Sequence, residues 1–212
     1  MEISHLVLET YFHRRGVRFL DGVDEAGRGP LAGPVVAAAC LIPESAYGYP
    51  EGFLEGVKDS KALTPKARKN IFWTVISQTV AGVGMATERE IDELNILNAS
   101  RLAMRRAILS LPITPDLALI DGNVKVDLPI DQLPVIEGDR RILSISAASI
   151  VAKVTRDEMM LVCDAEYPAY GFRVHKGYPT RAHVECLTRL GPSPIHRKTF
   201  GPVEKLLEPS PL

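Results

Sequence analysis

The chain has 212 residues, of which 46% are hydrophobic and 24% are charged, and this composition argues against disorder. The length suffices for one domain with a hydrophobic core and is short for two full domains. Because the formal net charge is −1, binding to nucleic acid would have to come from a local basic patch and not from the overall charge.

The cysteines and the apolar segments indicate a cytoplasmic protein. Cys40, Cys163 and Cys186 have neither zinc-site nor CxxC spacing, and we interpret them as small core residues in a reducing compartment. The longest apolar run, 35–42, is far shorter than the roughly 20 residues that a membrane helix needs. The N-terminus lacks the apolar region of a signal peptide, so we expect no contact with a membrane.

The first elements of the chain predict a β-hairpin. A short helix is expected over residues 2–14, and strand-like residues follow at 17–23. The Gly/Pro-rich turn 27–30 then precedes an apolar strand over 35–42, which predicts a hairpin with an unusual loop at its mouth. Residues 43–56 are rich in Pro, Gly and Glu and are interpreted as a surface loop.

Capping signals mark the helices that come next. Thr64 and Pro65 are typical of an N-cap and a first helical turn. A strand is expected over 79–86, and Thr87 with Glu90 has the pattern of a capping box, which begins a helix that extends to about residue 110. The apolar stripe expected on that helix consists of Leu94, Leu97, Met104 and Ile108.

The second half of the chain alternates short strands with helices. Apolar residues 117–120 and 133–136 are expected to be buried strands. Helices are expected over 146–163 and over 179–190, the latter closed by Gly191. A hairpin followed by this alternation predicts an α/β or α+β domain around a mixed sheet.

Four acidic residues lie where the predicted strands end. Asp24 and Glu25 follow the first strand, and Asp121 and Asp139 follow the two short ones. Ends of neighbouring strands can converge, and four carboxylates at one point would repel each other unless cations held them. Carboxylates suit Mg²⁺ or Mn²⁺, and two such ions can clamp the attacking and leaving oxygens of a phosphodiester. The alternative is that these are surface turn residues, since Asp is common after strands.

The glycine-rich turn predicts a binding loop. Gly27, Arg28 and Gly29 would offer free backbone N–H groups and allow the close approach of a phosphate or a sugar. The loop lacks the Gly-Lys-Ser/Thr ending of a Walker loop. A plain tight turn is the alternative.

The C-terminal part is both basic and aromatic. Between Gly171 and Lys205 there are seven Lys or Arg residues, two acidic residues and three histidines. Basic groups neutralise phosphates and rings pack on sugars or bases, so this segment predicts a nucleic-acid groove, with a solvated charged face as the alternative. The residues concerned are Arg173, Lys176, Arg181, Arg189, Arg197, Lys198, Lys205, His175, His183, His196, Tyr167, Tyr170, Phe172, Tyr178 and Phe200.

Seven segments together carry a resemblance to a known family. They are GVDEAGRGPLAGPVVAAA, DSKALT, EIDELNILNAS, LIDGN, GDRRILSISAASIVAKVTRD, YGFRVHKGYPT and HRKTFGPV. In this order they resemble bacterial ribonuclease HII, a type 2 ribonuclease H, over residues 18 to about 205. We see no long N-terminal extension of the kind that the sister family, ribonuclease HIII, carries. Residues 43–56 and the first 15 residues match nothing that we can place.

The resemblance implies an α/β fold of the ribonuclease H type, with a mixed five-stranded sheet flanked by helices and a helical C-terminal part. It implies one catalytic domain over 1–212, whose basic helical part begins at about residue 171. The implied activity is endonucleolytic: hydrolysis of the RNA strand of RNA–DNA hybrids, and incision of duplex DNA 5′ to embedded ribonucleotides, with 3′-hydroxyl and 5′-phosphate ends. The implied cofactor is Mn²⁺ or Mg²⁺. The implied partners are hybrids and ribonucleotide-containing duplex DNA, and we expect a monomer.

The resemblance also assigns roles to individual residues. The catalytic, metal-binding carboxylates fall on Asp24, Glu25, Asp121 and Asp139. The substrate-binding residues fall on Gly27, Arg28, Gly29, Ser60, Lys61 and Tyr178. In the second set the loop and the tyrosine would read the ribose, and the Ser-Lys pair would contact phosphate. Asp157 is a rival for the fourth carboxylate, but Asp139 is preferred because it ends a strand, whereas Asp157 lies inside a helix.

Two other classes of function remain open. One is another carboxylate nuclease of related fold, such as a junction resolvase or a proofreading exonuclease, which would not need a loop and a tyrosine that read a 2′-hydroxyl. The other is an inactive hybrid-binding module, which predicts that a carboxylate is lost, whereas all four positions are filled.

Overall fold

A mixed five-stranded sheet forms the centre of the fold. The computed structural model describes residues 6–48, 52–57 and 63–208. The strands are β1 Leu20–Ala26, β2 Val35–Ile42, β3 Val80–Ala86, β4 Leu117–Asp121 and β5 Asp131–Val135. They lie in the order β3-β2-β1-β4-β5. Because β2 is antiparallel to β1 and β3 while β4 is parallel to β1 and β5, the predicted mixed sheet is confirmed.

Helices flank the sheet and form the C-terminal part. The α-helices of the described residues are α1 Val7–His13, α2 Ser45–Gly48, α3 Pro65–Gln78, α4 Glu88–Leu94, α5 Ile96–Leu109, α6 Leu143–Glu166, α7 Phe172–His175, α8 Arg181–Leu190 and α9 Gly201–Leu207. Within these ranges no helix combines the length and the apolar character that crossing a membrane requires.

The predicted hairpin is present, but its first strand begins and ends three residues later than predicted. β2 has the predicted bounds because all of its residues are buried, and such a strand appears in the sequence as a continuous apolar run. The sequence predicts that β1 ends at residue 23, whereas pairing with β2 continues until Ala26 lies opposite Val36. Asp24 and Glu25 therefore lie within β1 and not after it.

The longest helix packs closely against the centre of the sheet. α6 begins at Leu143, before the predicted start at residue 146, and its residues 143–152 are buried. A Cβ atom on Gly22 of β1 would lie only 2.2 Å from the carbonyl carbon of Ser144. The glycine therefore permits the close contact of β1 with α6, which fixes the strand that carries the first two acidic residues.

Apolar side chains fill the core on both faces of the sheet. On one face α6 contributes Ile145 and Ile150, which pack with Leu119 of β4. On the other face Ala103 and Ala107 of α5 pack with residues of β1, β2 and β4. Small side chains on α5 let this helix lie close to the strands.

The prediction of a single helix from Thr87 to about residue 110 is wrong, because one helix ends and another begins at Asn95. Thr87 and Glu90 form the predicted capping box. Asn95, however, has a φ of 67°, and its side chain accepts hydrogen bonds from two N–H groups in the first turn of α5. An asparagine side chain can bond to the backbone in this way and so ends one helix and begins the next.

The break also changes the predicted apolar stripe. Met104 and Ile108 are buried as predicted, whereas Leu94 and Leu97 are exposed on either side of the break. Only the part of the stripe on α5 beyond its first turn belongs to the core.

The segment 43–56 is not wholly a surface loop. α2 lies within it, and Ala46 and Leu54 are buried in the core beside α6. Residues 49–51 fall outside the ranges that the structure describes.

The helical C-terminal part packs against the loop at the mouth of the hairpin. α8 has Thr180 as its N-cap and Gly191 at its C-terminal cap, close to the prediction. The N–H of Leu31 donates to the Gly177 carbonyl at 2.7 Å, and the N–H of Gly33 donates to the Ile195 carbonyl at 2.9 Å. These bonds place the C-terminal part directly beside the loop.

Candidate active site

Three of the predicted carboxylates meet at the ends of two neighbouring strands. Asp24 and Glu25 lie near the end of β1, and Asp121 is the last residue of β4. The parallel pairing of these strands reaches Val23 opposite Ile120, so the acidic residues come immediately after the last paired positions. The predicted convergence of these strand ends is therefore present.

Asp139 joins this group from a turn and not from a strand end. β5 ends at Val135, and Asp139 lies in the 3₁₀ turn Gly138–Arg140. Its N–H donates to Oδ1 of Asp121 at 3.3 Å, and its carbonyl accepts from Ser146 Oγ at 2.5 Å. Asp139 thus does not end a strand as predicted, but the turn holds this buried residue against Asp121.

The carboxylates form an electrostatically unfavourable cluster. Asp24 is only 4% exposed, and burial, with the charges of Glu25 and Asp121, holds its pKa well above the usual value. Burial also raises the pKa of Glu25, against the lowering effect of the nearby Arg28 guanidinium, and Asp121 raises it further. A site that disfavours its own negative charges is one that a cation stabilises.

The donor set fits a hard divalent cation by its chemistry. Carboxylate oxygens are the ligands that Mg²⁺ and Mn²⁺ prefer. In residues 6–48, 52–57 and 63–208, however, no three His, Cys, Asp or Glu side chains already form a group arranged to hold a metal ion. The side chains would therefore have to rotate to close around one, while the backbone already brings them together.

The rival fourth carboxylate, Asp157, is in a different environment. It lies inside α6, where Lys153 Nζ is 2.8 Å from Oδ1 and Arg68 Nη1 is 4.0 Å from Oδ2. Two cations thus already balance its charge. Asp139 is the one of the two that contacts the Asp24–Asp121 cluster.

The Gly27–Gly29 loop begins immediately after this cluster. Gly27 has a φ of +101°, and a Cβ atom there would lie 2.1 Å from Nε of Arg156, so only glycine fits. Arg28 and Gly29 are exposed, and Arg28 Nη1 donates to Glu25 Oε1 at 3.3 Å. The loop therefore places an exposed guanidinium beside the carboxylates.

Tyr178 lies against the same loop. A Cβ atom on Gly29 would lie 3.8 Å from Cε1 of Tyr178, and the tyrosine is 38% exposed. Lys153 Nζ lies 5.5 Å and Arg156 Cζ 5.8 Å from the centre of its ring. The structure thus brings together Tyr178 and the loop, which are about 150 residues apart in the chain.

Part of the predicted basic groove is not available to nucleic acid. Arg197 is fully buried, and the three histidines of the segment are buried as well. Arg173 and Arg181 are paired with Asp164 and Glu185, but both arginines remain exposed. An alternating basic and aromatic sequence does not distinguish a buried arginine from one that contacts phosphate, so sequence reasoning missed the structural role of Arg197.

The other predicted phosphate contacts, Ser60 and Lys61, lie outside the described residues. Arg156 is not among the predicted site residues. It is fully buried in the middle of α6, and no local sequence signal marks it.

The family model, the related sequences and the similar structures all point to the same protein family. A family model described as Ribonuclease HII matches residues 21–203. A ribonuclease HII of Coxiella burnetii (strain Dugway 5J108-111) is 50% identical over 186 residues, which cover 87% of this chain and 89% of that protein. The ribonuclease H2 of Pyrococcus horikoshii OT3 has a TM-score of 0.72 and 31% identity, over 89% of this chain and 96% of that chain. Bst-RNase HIII, solved in complex with Mn²⁺, shares the fold with a TM-score of 0.69 at 20% identity, over 92% of this chain and 71% of that chain.

The matched region contains the whole sheet from Asp21 onward, the four carboxylates and the loop that follows β1. It also extends through α8, so it includes the part of the chain that carries Tyr178. Both the extent of the match and the identity to relatives of nearly the same length lead to one conclusion: this chain belongs to the ribonuclease HII family.

Proposed function

We propose that the protein is a divalent-metal-dependent endoribonuclease that hydrolyses the RNA strand of RNA–DNA hybrids. It also incises duplex DNA on the 5′ side of an embedded ribonucleotide, leaving 3′-hydroxyl and 5′-phosphate ends. Family membership supports this activity. The observation that carries the mechanism is the cluster of Asp24, Glu25 and Asp121 immediately beside the Gly27–Gly29 loop.

Asp24, Glu25, Asp121 and Asp139 are the residues that would hold Mn²⁺ or Mg²⁺. When bound, the ion supplies Lewis-acid polarisation of the phosphodiester and neutralises charge on the attacking and leaving oxygens. The N–H of Glu25 donates to Asp24 Oδ1 at 2.7 Å, which orients the Asp24 carboxylate. The Mn²⁺ complex of Bst-RNase HIII makes Mn²⁺ the first ion to test.

Recognition of the ribose is assigned to the loop and to Tyr178. The N–H groups of Arg28 and Gly29 are on an exposed part of the loop, where a sugar can approach closely. The Tyr178 hydroxyl can hydrogen-bond to a 2′-oxygen while its ring packs on the neighbouring sugar. Only Nη1 of Arg28 donates to Glu25. The other N–H groups of its planar guanidinium can hold a phosphate.

The proposed substrates are RNA–DNA hybrids and duplex DNA with embedded ribonucleotides. We propose that the protein acts as a monomer, with one copy of the chain forming the whole site. The candidate site is built from one chain, since β1, β4, the 3₁₀ turn and the C-terminal part all contribute to it. Contacts between the C-terminal part and the loop support a single catalytic domain over 1–212. Ser60 and Lys61 remain candidates for phosphate binding.

The test is cleavage of a DNA duplex that contains one ribonucleotide, with Mn²⁺, Mg²⁺ or EDTA. We expect cleavage with either ion and none with EDTA, and end-labelling should place the cut 5′ to the ribonucleotide. The control substrate is the same duplex without the ribonucleotide, which should stay intact.

The same experiment separates the alternatives. Cleavage of all-DNA junctions or ends would support another carboxylate nuclease. Binding to the ribonucleotide-containing duplex without cleavage under any metal condition would support a hybrid-binding module.

A further inference from the structure

Two buried arginines lie behind the loop that connects β1 and β2. Arg156 of α6 and Arg197, between α8 and α9, are both fully buried. Among the described residues neither has a carboxylate within ion-pair distance. Their guanidinium groups bind backbone carbonyls instead.

Arg197 binds both ends of the loop. Its Nη2 donates to the carbonyl of Gly27 at 2.6 Å, and its Nη1 donates to the carbonyl of Arg28 at 3.1 Å. Its Nε and Nη2 donate to the carbonyl of Gly33 at 2.9 and 2.7 Å. One planar guanidinium therefore fixes three peptide units of the loop.

Arg156 joins the loop to the turn before Tyr178. Its Nε donates to the carbonyl of Pro34 at 3.0 Å, and its Nη2 donates to the carbonyl of Ala32 at 3.1 Å. Its Nη1 donates to the carbonyl of Lys176 at 3.0 Å, two residues before Tyr178. The loop and the tyrosine are thus held by the same side chain.

These bonds determine which way the loop amides point. In a planar trans peptide unit the C=O and N–H groups point in opposite directions. Because the carbonyls of Gly27 and Arg28 point inward to Arg197, the N–H groups of Arg28 and Gly29 point outward. Both residues are exposed, and neither N–H has an acceptor within the described part of the chain.

A purely space-filling role does not explain arginine at these positions. Burying a charge with no carboxylate in direct contact is costly, and an apolar residue of similar volume would avoid that cost. Glu88 acts on both guanidinium groups only from beyond ion-pair distance. Burial lowers the pKa of Arg197 to about 9, so the group still carries its charge at neutral pH. The planar guanidinium spreads five donors over three nitrogens and can bridge carbonyls that lie apart, whereas the three donors of lysine all lie on one nitrogen.

We propose that Arg197 and Arg156 are positioning residues for ribose recognition, because they fix the inward carbonyls of the loop and so present the amides of Arg28 and Gly29 to the sugar next to Tyr178. This proposal rests on the proposed role of the loop in ribose recognition. It assigns the two arginines no contact with the substrate.

The experiment compares Arg197→Lys, Arg156→Lys and Arg197→Ala with the unchanged protein and with Met104→Ala. Met104 is a buried residue of α5 and packs in the core, so that variant controls for a general loss of stability. For each, we would measure the melting temperature, kcat and KM on the single-ribonucleotide duplex with Mn²⁺. Binding of that duplex and of its all-DNA counterpart in EDTA would give a second reading that does not depend on catalysis.

We expect folded Arg197→Lys and Arg156→Lys to lose about 10- to 100-fold in kcat, the size expected when reacting groups are misplaced by about 1 Å. Their preference for the ribonucleotide-containing duplex in binding should also fall. Millimolar guanidinium ion should restore part of the activity of Arg197→Ala and should do nothing for Met104→Ala.

The proposal is overturned if a folded lysine variant keeps both its kcat and its preference for the ribonucleotide. It is also overturned if every arginine variant unfolds and guanidinium rescues none, because the arginines would then be structural only. Failure of the unchanged protein to distinguish the two duplexes would instead contradict the proposed function of the loop itself.

Discussion

Nε2 of His183 lies 3.1 Å from Nε2 of His196, and the bonds on either side fix which nitrogen of each ring carries the proton. Nδ1 of His196 accepts from the Ser193 N–H at 2.9 Å, so the proton of His196 lies on Nε2 and donates to His183. The proton of His183 then lies on Nδ1 and donates to the Tyr178 carbonyl at 2.9 Å. A second proton on His183 would place its Nε2–H against that of His196, and a second proton on His196 would place its Nδ1–H against the Ser193 N–H.

The histidine pair should make the protein less stable as the pH falls. Burial lowers the pKa of His183, and burial with the charge of His183 lowers the pKa of His196 to about 4. In the unfolded chain a histidine titrates near 6.5, so the unfolded state takes up protons first. Stability is therefore complete above about pH 6.5 and is lost as the pH falls towards about 4. Urea denaturation at pH 8, 6.5 and 5 measures this.

His196→Asn should show a flatter loss over the same pH range, although it will be less stable at pH 8. Leu187→Ala is the control, because it truncates a fully buried side chain on the same helix as His183 without removing a titrating group. An identical pH dependence in His196→Asn and in the unchanged protein would contradict the assignment.

Because of Asp21, we expect a second contribution to stability that decreases as the pH rises, opposite in sign to that of the histidine pair. Its carboxyl oxygens are buried, with no hydrogen-bond partner among the described residues, and burial raises its pKa to about 8. The folded state therefore keeps the proton, and stability falls as the pH rises from about 4 to about 8. Asp21→Asn removes this titration. The free energy of unfolding of Asp21→Asn minus that of the unchanged protein should rise with pH by at most about 1.4 kcal/mol per unit. A difference that stays constant across this range would show that Asp21 is not a buried neutral acid.

The fold follows from the sequence where local signals agree with burial. β2 is wholly buried and apolar, so its bounds are predicted correctly, and the caps at Thr64 and Thr87 identify the starts of α3 and α4. The break at Asn95 is missed because the apolar spacing continues across it, while the side-chain cap that ends α4 leaves no mark on that spacing.

The candidate site is predicted less completely than the fold. An acidic residue after a strand is a local pattern, so Asp24 and Asp121 can be identified as candidates, and the family resemblance adds Tyr178. Arg197 is different, because its role depends on carbonyls more than 160 positions away in the chain, such as that of Gly33. No local spacing encodes such a contact, so sequence alone does not distinguish a buried arginine in a basic segment from a surface residue.

Asp24→Asn should raise the stability of the protein and lower its cleavage activity. The substitution replaces a buried carboxyl group, whose negative charge is disfavoured by burial and by Glu25 and Asp121, and retains an oxygen that can accept the Glu25 N–H. We expect the melting temperature in EDTA to rise, and cleavage with Mn²⁺ to fall by about a thousandfold or more, since metal binding supplies several kcal/mol of transition-state stabilisation. Mn²⁺ should raise the melting temperature of the unchanged protein more than that of the variant. Substantial Mg²⁺-dependent cleavage by Asp24→Asn would overturn the carboxylate assignment.

The fourth carboxylate can be decided by comparing Asp139→Asn with Asp157→Asn. Asp139 contacts Asp121 through its backbone, whereas Asp157 is paired with Lys153 and Arg68. We expect Asp139→Asn to lose most of its cleavage with little loss of stability. Asp157→Asn should lower the melting temperature slightly and keep most of its activity. Cleavage rates and melting curves of both variants test this, and the reverse order would assign the fourth position to Asp157.

Gly29→Ala offers a test of ribose reading that is separate from folding. A Cβ atom at this position meets nothing closer than Cε1 of Tyr178 at 3.8 Å, an ordinary contact, so stability should change by less than about 1 kcal/mol. The added methyl group lies where the sugar is proposed to approach, so cleavage of the single-ribonucleotide duplex should fall. Gly27→Ala is the contrasting variant, because its Cβ would meet Arg156 Nε at 2.1 Å and it should therefore destabilise the fold.

Tyr178→Ala completes the comparison, because the tyrosine lies on the other side of the same proposed sugar site. It should reduce cleavage at a single ribonucleotide more than cleavage of a long hybrid, since a hybrid offers many ribose sugars and an embedded ribonucleotide only one. Its melting temperature should change little, because the ring is 38% exposed and the backbone of Tyr178 is held independently by His183. If Tyr178→Ala unfolds the protein or slows both substrates equally, while Gly29→Ala keeps full activity, then Tyr178 serves packing and the ribose is read elsewhere.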